Sequence, residues 1–195
     1  RIARIETGLE DITGFELRYR LDATDDGTPR VYTEALGMNI AGGRITAESG
    51  SFDPTTGAST IPLRAENLDL ARLLSHIGLE ELTGVGQLNG IIPFTMSVSG
   101  ASIEGATLQA NAPGIVTYRS ARAREALATG GESVNLMLDA LEDFHYDTLG
   151  LTLSKPAEGD TAITLRMEGS NPAVLDGNPF DINISLTGDA DPLLQ

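Results

Sequence analysis

Apolar and polar residues alternate along most of the chain, and this pattern predicts mainly β-strands. The clearest case runs from Phe15 to Ala23, where apolar residues at odd positions alternate with charged residues at even positions. Successive side chains of a strand point to opposite faces, so one face of this strand is apolar and the other is charged. Asp26-Gly27 then predicts a turn, after which Val31 to Ile40 forms the returning strand of a hairpin. The same pattern predicts further strands at 44–52, 58–65, 84–98, 102–110, 146–154, 161–168 and 180–187.

Three segments depart from this period of two and predict helices. Asp69 can cap a short helix over residues 70–77, in which the leucines and isoleucine share one face. Ser133 can cap a longer helix whose apolar residues, at helical spacing, end at Phe144. Residues 120–128 have helix-forming composition with little apolar face, which indicates a helix at the surface or an ordered connection.

The helices fall in the middle of the chain and do not alternate with strands, which disfavours a parallel, doubly wound fold. Two or three short helices cannot cover the apolar faces of at least eight strands unless the sheet bends over on itself. We therefore expect one mainly β domain over residues 1–195. Its fold class would be a strongly curved antiparallel sheet that forms a groove or gutter, with the helices packed at one end or face.

The strand predicted at 84–98 raises the question of what lies against its glycines. Gly84, Gly86 and Gly90 share one face with apolar residues further along the strand. A helix can approach a backbone closely where no Cβ intervenes, so the helix at 70–77 is the expected neighbour of these glycines.

Composition and charge remove several classes of function. The formal net charge of -15 disfavours binding to nucleic acid, and the basic residues are scattered along the chain. The absence of cysteine excludes disulfides and thiolate chemistry. No apolar run has the roughly 20 residues that span a bilayer. Because the chain opens on RIARIETGLEDI, we expect it to be part of a longer protein.

No constellation of residues typical of an enzyme is visible. His76 and His145 have no partner at metal-ligand spacing, and a structural or solvated role is the better interpretation of both. Acidic pairs such as Glu142-Asp143 are what an acidic surface produces by chance. We expect no catalytic site, no metal and no cofactor, and a hydrolase that uses surface carboxylates is the weakest of the alternatives.

Four phrases together resemble the C-terminal domain of YdbH-family proteins, over residues 43–195. The phrases are GVGQLNGIIPF, SIEGATLQANAPGIVTYR, LDALEDFHYDTLGLTL and LRMEGSNPAVLDGNPFDINISL. The family is AsmA-like, and its relatives are similar to long β gutters that carry phospholipids across the periplasm of Gram-negative bacteria. The resemblance implies a periplasmic segment of a phospholipid transport protein that is anchored in the inner membrane. An older label of the domain speaks of dicarboxylate transport, for which these residues offer no small-acid site.

With this role, three apolar rows become candidates for contact with acyl chains. They are Leu88, Ile92, Phe94, Met96 and Val98, then Ile163, Leu165 and Met167, then Ile182, Ile184 and Leu186. The same rows could instead form a closed, dry core, and the sequence does not separate a core from a groove. A further alternative is a structural domain that closes one end of a longer β array. Such a domain would bind a partner by edge-strand addition, and the family suggests a small outer-membrane lipoprotein.

Overall fold

A computed structural model of the chain describes residues 4–5, 12–23, 29–47, 50–52, 59–76, 81–97, 100–126 and 131–188. Thirteen strands in these residues belong to one antiparallel sheet. The strands are β1 (Arg4–Ile5), β2 (Ile12–Ala23), β3 (Pro29–Ile40), β4 (Gly43–Ala47), β5 (Gly50–Phe52), β6 (Ser59–Asp69), β7 (Leu82–Val85), β8 (Gln87–Ser97), β9 (Gly100–Ala110), β10 (Gly114–Tyr118), β11 (Phe144–Lys155), β12 (Thr161–Ser170) and β13 (Phe180–Gly188).

Seven of the twelve strand pairings join consecutive strands and four join a strand to the next but one, so the sheet is close to a meander except where β7 pairs with β10. β2 pairs with β3, β3 with β4 and β5, and β4 with β6. β6 and β9 flank β8, and β13 pairs with β12. β11 has two partners on one side, because its first residues pair with β10 and its later residues pair with β9.

Two of the long strands are interrupted in the middle of the sheet. The strand predicted at 84–98 is broken at Gly86 into β7 and β8, so the prediction of one continuous strand is wrong. β9 is likewise followed, after residues 111–113, by β10, which is not among the strands predicted from the sequence. Of the strand predicted at 44–52, the structure describes β4 and β5, and residues 48–49 between them lie outside the described residues. The two interruptions, at Gly86 and at residues 111–113, occur where the chain changes a strand partner, which is a tertiary event that local alternation does not encode.

Three short helices lie at the same end of the sheet. α1 (Leu70–His76) leads from β6 to β7, whereas α2 (Ala121–Ala126) and α3 (Glu132–Leu141) lead from β10 to β11. Tyr118 at the end of β10 pairs with Leu82 at the start of β7, so both helical connections leave from this side. We call it the helix-capped end. The open end is the opposite side, where the hairpins β8–β9 and β11–β12 turn.

The starts of the helices follow the capping prediction in one case of two. Asp69 precedes α1, and its Oδ1 accepts a hydrogen bond from the backbone N–H of Arg72 at 2.9 Å, which confirms the predicted cap. The predicted cap at Ser133 is wrong, because α3 begins at Glu132 after Gly131, whose φ is 86°. Phe144 belongs to β11 and not to that helix. The predicted surface helix is confirmed as α2, where Arg124 contacts Asp139 and Glu142.

One side of the sheet carries the apolar register of nearly every long strand, and we call it the apolar face. Residues paired across antiparallel strands share a face, and apolar residues pair with one another from strand to strand. The pairs include Leu36 with Ala47, Ile45 with Ala65, Leu63 with Ile92, Gly90 with Leu108, Leu108 with Leu151, Leu151 with Leu165, and Leu165 with Ile184. The core is the part of this face that the helices cover, with Leu70, Leu141, Phe144 and Tyr146 fully buried.

The mainly β, antiparallel class predicted from the sequence is confirmed, and the helices gather at one end as expected. Over the described residues, the sheet is open: the strand path does not return on itself, and β13 pairs only with β12. The described part of the sheet is not strongly curled. The strongly curved gutter of the sequence analysis is therefore not reproduced.

The glycines near the break of β7 and β8 have three different neighbours. A Cβ on Gly84 would lie 2.6 Å from Leu70 Cδ2, so α1 does pack over this glycine as predicted. At Gly86 the nearest atom to such a Cβ is the hydroxyl oxygen of Tyr146. At Gly90 it is the backbone of Thr107 and Leu108. The expectation that one helix covers all three glycines is therefore correct for Gly84, is met at Gly86 only by a further contact with Leu70 Cδ2 at 3.9 Å, and is wrong for Gly90.

Gly90→Ala is expected to lower the free energy of unfolding by about 3 kcal/mol, because the added methyl group meets backbone that cannot rotate away. Gly150→Ala is the matched control, since a Cβ there meets nothing within 4 Å. Its free energy of unfolding should change by less than about 0.5 kcal/mol. Urea titration followed by circular dichroism measures both, and equal stabilities of the two variants would contradict the close approach of β8 and β9.

Candidate functional site

The predicted site residues on β8 differ widely in burial. Leu88 is 0 % exposed, Ile92 and Phe94 are partly buried, and Met96 is 49 % exposed. Val98 lies outside the described residues. Burial therefore decreases along this strand from the helix-capped end towards the open end.

The predicted site residues on β12 and β13 form cross-strand pairs. Met167 pairs with Ile182, Leu165 with Ile184, and Ile163 with Leu186. The three residues of β12 are buried, as is Ile182, whereas Ile184 and Leu186 are partly buried. The structure thus brings these two rows together, and on β13 burial decreases in the same direction as on β8.

The row on β8 is not adjacent to the rows on β12 and β13. β9 and β11 lie between them and carry their own apolar residues on the same face. Leu108 of β9 pairs with Leu151 of β11, and Ala106 pairs with Leu153. These residues connect the predicted rows into one surface, and the sequence analysis did not include them among the site residues. The alternation in the two predicted strands, which puts Leu149, Leu151 and Leu153 on one face, is the signal that could have identified them.

The apolar face is most exposed where none of the described helices lies against it. Besides Met96, the side chains of Leu17, Tyr19 and Leu21 on β2 are between 45 % and 63 % exposed. Isolated exposed apolar residues are normal, whereas a contiguous apolar surface marks an interaction site. These positions continue a face that is buried at its other end, so they form the accessible part of one surface.

Surface cavities do not coincide with the predicted rows. Three cavities of about 650, 820 and 620 Å³ are lined largely by charged and polar residues, among them Arg44, Glu34 and Glu168. Of the predicted site residues, Met167 alone lines one of these three. The geometry therefore shows an apolar surface with an exposed portion, and these cavities are not a preformed pocket for an acyl chain.

Tyr146 closes the helix-capped end of the apolar face. Its hydroxyl donates a hydrogen bond to the backbone oxygen of Val85 at 2.9 Å, beside the break at Gly86. Burial raises the pKa of Tyr146 above its ordinary value of 10.0, which keeps the hydroxyl protonated and able to donate. Because it belongs to β11 and its hydroxyl is bonded to β7, Tyr146 has a structural role.

The titratable residues singled out in the sequence form no reactive cluster in the described part of the chain. His145 Nε2 lies 3.4 Å from Asp143 Oδ2, and both side chains are about half exposed. Nothing is described of the side chain of His76, the last residue of α1. Within the described ranges, no group of three or more histidine, aspartate and glutamate side chains has the geometry of a metal site.

Comparison with known proteins gives one family. The sequence model described as "YdbH-like: Intermembrane phospholipid transport protein YdbH" matches residues 1–190. The match extends to the first 42 residues, in which the sequence analysis found no specific phrase. No curated protein and no solved structure matches the chain. Among the described helices, none has the length and apolar character needed to cross a bilayer.

The change of burial along β8 predicts opposite results for the same substitution at its two ends. Leu88→Asp is expected to prevent folding, because it places a carboxylate at a fully buried position. Met96→Asp should stay folded, with a free energy of unfolding within about 1 kcal/mol of the parent, because the residue is half exposed. Circular dichroism and urea titration test both, and an unfolded Met96→Asp variant would show that the open end is as closed as the core.

Proposed function

The chain belongs to the YdbH-like family of intermembrane phospholipid transport proteins, and we propose that its domain guides phospholipid acyl chains along the apolar face of the sheet. This is a transport family and not an enzyme family, and its activity implies lipid partners and a place in the cell envelope. The lipid-contacting residues proposed are those of the three rows, supplemented by Leu108, Leu151 and Leu153, which connect them.

The observation that supports this proposal most is the continuity of the apolar face combined with its decreasing burial. A fully packed interior would serve stability alone, whereas a face that becomes accessible towards one end offers a surface to an apolar ligand. Burial of apolar surface contributes roughly 25 cal/mol per Å², so about 300 Å² of contact with acyl chains would contribute about 7 kcal/mol. No directed hydrogen bond is needed for binding of this kind, which suits a ligand that must also slide.

The burial of residues in the middle of the sheet supports a shallow groove. Leu151 is 4 % exposed and Leu165 is 3 % exposed, although both lie several residues from the helix-capped strand ends. Side chains on a flat, uncovered sheet face are open to water, so this burial favours some concavity of the face. We propose that the groove is formed by this moderate bend and that acyl chains occupy its less buried part.

The same proposal includes the place of the chain in the cell. The resemblance implies a periplasmic segment of a protein anchored in the inner membrane. We propose that residues 1–195 act there as one β-rich domain of a longer conduit. The outer, polar register of the strands, with Arg64 and Arg166 exposed, suits a surface that faces water.

A second candidate function is favoured by the edge of the sheet. Within the described residues, β13 pairs only with β12, so one side of its backbone is available to a further strand. A structural or interaction domain would use this edge to bind a partner by strand addition, such as the small outer-membrane lipoprotein suggested by the family.

Met96→Asp tests lipid guidance. The variant should remain folded and take up much less fluorescent phospholipid from vesicles, because a carboxylate interrupts the accessible part of the apolar face. Ile91→Asp is the matched control, since Ile91 is 38 % exposed on the same strand but belongs to the opposite register, where it pairs with Arg64. Uptake by Met96→Asp that equals uptake by Ile91→Asp would argue against this face as the lipid surface.

Hydrogen exchange tests the second candidate function. With a family lipoprotein added, the amides of β13 should exchange more slowly while those of β8, in the interior of the sheet, remain unchanged. Unchanged exchange in β13, measured with a complex whose formation is verified independently, would exclude strand addition at this edge.

A further inference from the structure

The only lysine of the chain lies on the apolar face. Lys155 is the last residue of β11 and is 6 % exposed. It pairs with Ile103 of β9, and Ile103 pairs in turn with Phe94 of β8. Lys155 therefore occupies the same cross-strand row as Phe94, one of the residues proposed to contact acyl chains.

The other basic residues of the central strands are on the opposite side. Arg64 pairs with Ile91, and Arg166 pairs with Asn183, both in the polar register. A buried lysine stem with its ammonium at the margin of an apolar surface is a snorkelling arrangement, in which the charge reaches the boundary with water. Lys155 lies at the open end of the sheet. Its ammonium is therefore placed where an apolar ligand would leave the apolar face and enter water.

Thr161 stands beside Lys155 without a hydrogen-bond partner. Ser154 pairs with Ala162, so Lys155 and Thr161 occupy the next position of the β11–β12 hairpin, on the apolar face. Thr161 is 2 % exposed, and its Oγ1 is buried without a partner among the described atoms. A second such hydroxyl, that of Ser59, also lies at the open end, where Ser59 pairs with Met96. Buried hydroxyls are normally hydrogen-bonded, so two without a partner at one end of a face call for an explanation.

We propose that Lys155 and Thr161 bind the phosphodiester group of a phospholipid at the open end of the apolar face, with the acyl chains directed towards the helix-capped end. This inference rests on the proposed lipid guidance and adds the orientation of the lipid. An ammonium and a hydroxyl on neighbouring strands are a donor pair that phosphoryl oxygens accept. The apolar residues next to Lys155 in its row, Ile103 and Phe94, then contact the first carbons of the acyl chains.

The acidic residues that follow Lys155 in the chain do not pair with its ammonium in the described part of the structure. Glu158 and Asp160 lie in the turn between β11 and β12, and both are exposed. Among the described residues, neither forms an ion pair with Lys155. The part of the net charge of -15 that comes from carboxylates more than about 8 Å away is screened by salt at physiological ionic strength.

The first experiment compares two soluble lipids that differ in the phosphate. Dihexanoyl phosphatidylglycerol and dihexanoylglycerol are titrated against the 195-residue chain by displacement of a fluorescent fatty acid. Lys155→Met should weaken binding of the phospholipid about tenfold and leave binding of dihexanoylglycerol unchanged. Lys155→Arg should retain the preference for the phospholipid, and Arg166→Gln is the control for loss of a positive charge on the opposite face.

Thr161→Val separates binding from stability. Removal of an unsatisfied buried hydroxyl should raise the melting temperature of the lipid-free chain, because valine has the same shape. The same variant should bind dihexanoyl phosphatidylglycerol more weakly than the parent does. A variant that is stabilised yet binds the phospholipid as the parent does would remove Thr161 from the site.

The single lysine permits a direct readout at the ammonium. Reductive methylation with ¹³C-formaldehyde gives one lysine resonance, distinct from that of the terminal amine. This resonance should shift with dihexanoyl phosphatidylglycerol and not with dihexanoylglycerol. The same shift with inorganic phosphate alone, at equal concentration, would mean a site for free phosphate and would overturn the lipid assignment.

The outcomes separate this inference from the function on which it rests. If the parent chain binds both lipids equally and Lys155→Met changes neither affinity, the phosphate site is wrong and lipid guidance stands. If the parent chain binds neither lipid, lipid guidance fails and the orientation of the lipid fails with it.

Discussion

A sheet of a single layer has one apolar face to cover, and in this molecule the described helices lie at one end of it. Leu70 of α1 and Leu141 of α3 are fully buried there, against strands that begin or end beneath them. Towards the other end no described helix lies against the strands, and Met96 is half exposed. The described helices cover only part of the apolar face. In an ordinary globular protein this would lower the stability, whereas here it leaves an apolar surface accessible, which is what an intermembrane phospholipid transport domain requires.

The continuity of that surface depends on the register between strands. A slip by one residue would turn a whole apolar row to the water side, so each change of partner must preserve the parity of the side chains. The register is irregular between Ala65 and Leu68 of β6, which keeps β8 as its partner, and between Tyr146 and Thr148 of β11, where the partner on the other side changes from β10 to β9. Tyr146 then holds the break beside Gly86 through its hydrogen bond to Val85. The face is thus built from strands that are individually irregular.

Much of the architecture could be predicted from local alternation, because a strand with one apolar face has an apolar residue at every second position. The hairpin of β2 and β3 and the strands β9, β11, β12 and β13 follow the predicted ranges closely. The break at Gly86 was not predicted because it depends on β10 as a new partner of β7. The cap of α3 was predicted wrongly because the helix begins at Glu132, after Gly131 and one residue before Ser133. For the site, periodicity predicted which residues share a face within a strand, but not that β9 and β11 separate β8 from β12. Lys155 was missed because a lysine before a proline in a hairpin is typical of a solvated turn.

The meander has a consequence for how the chain acquires its structure. Apart from β7, which pairs with β10, every described strand has a partner within two strands of it in the sequence, so most pairings can form soon after their strands have been synthesised. Such a chain can assemble progressively from one end, and among the described strands β7 alone waits for a partner three strands further along. A polypeptide that emerges gradually from a narrow channel can therefore fold as it appears, with the most recently formed strand serving as the template for the next.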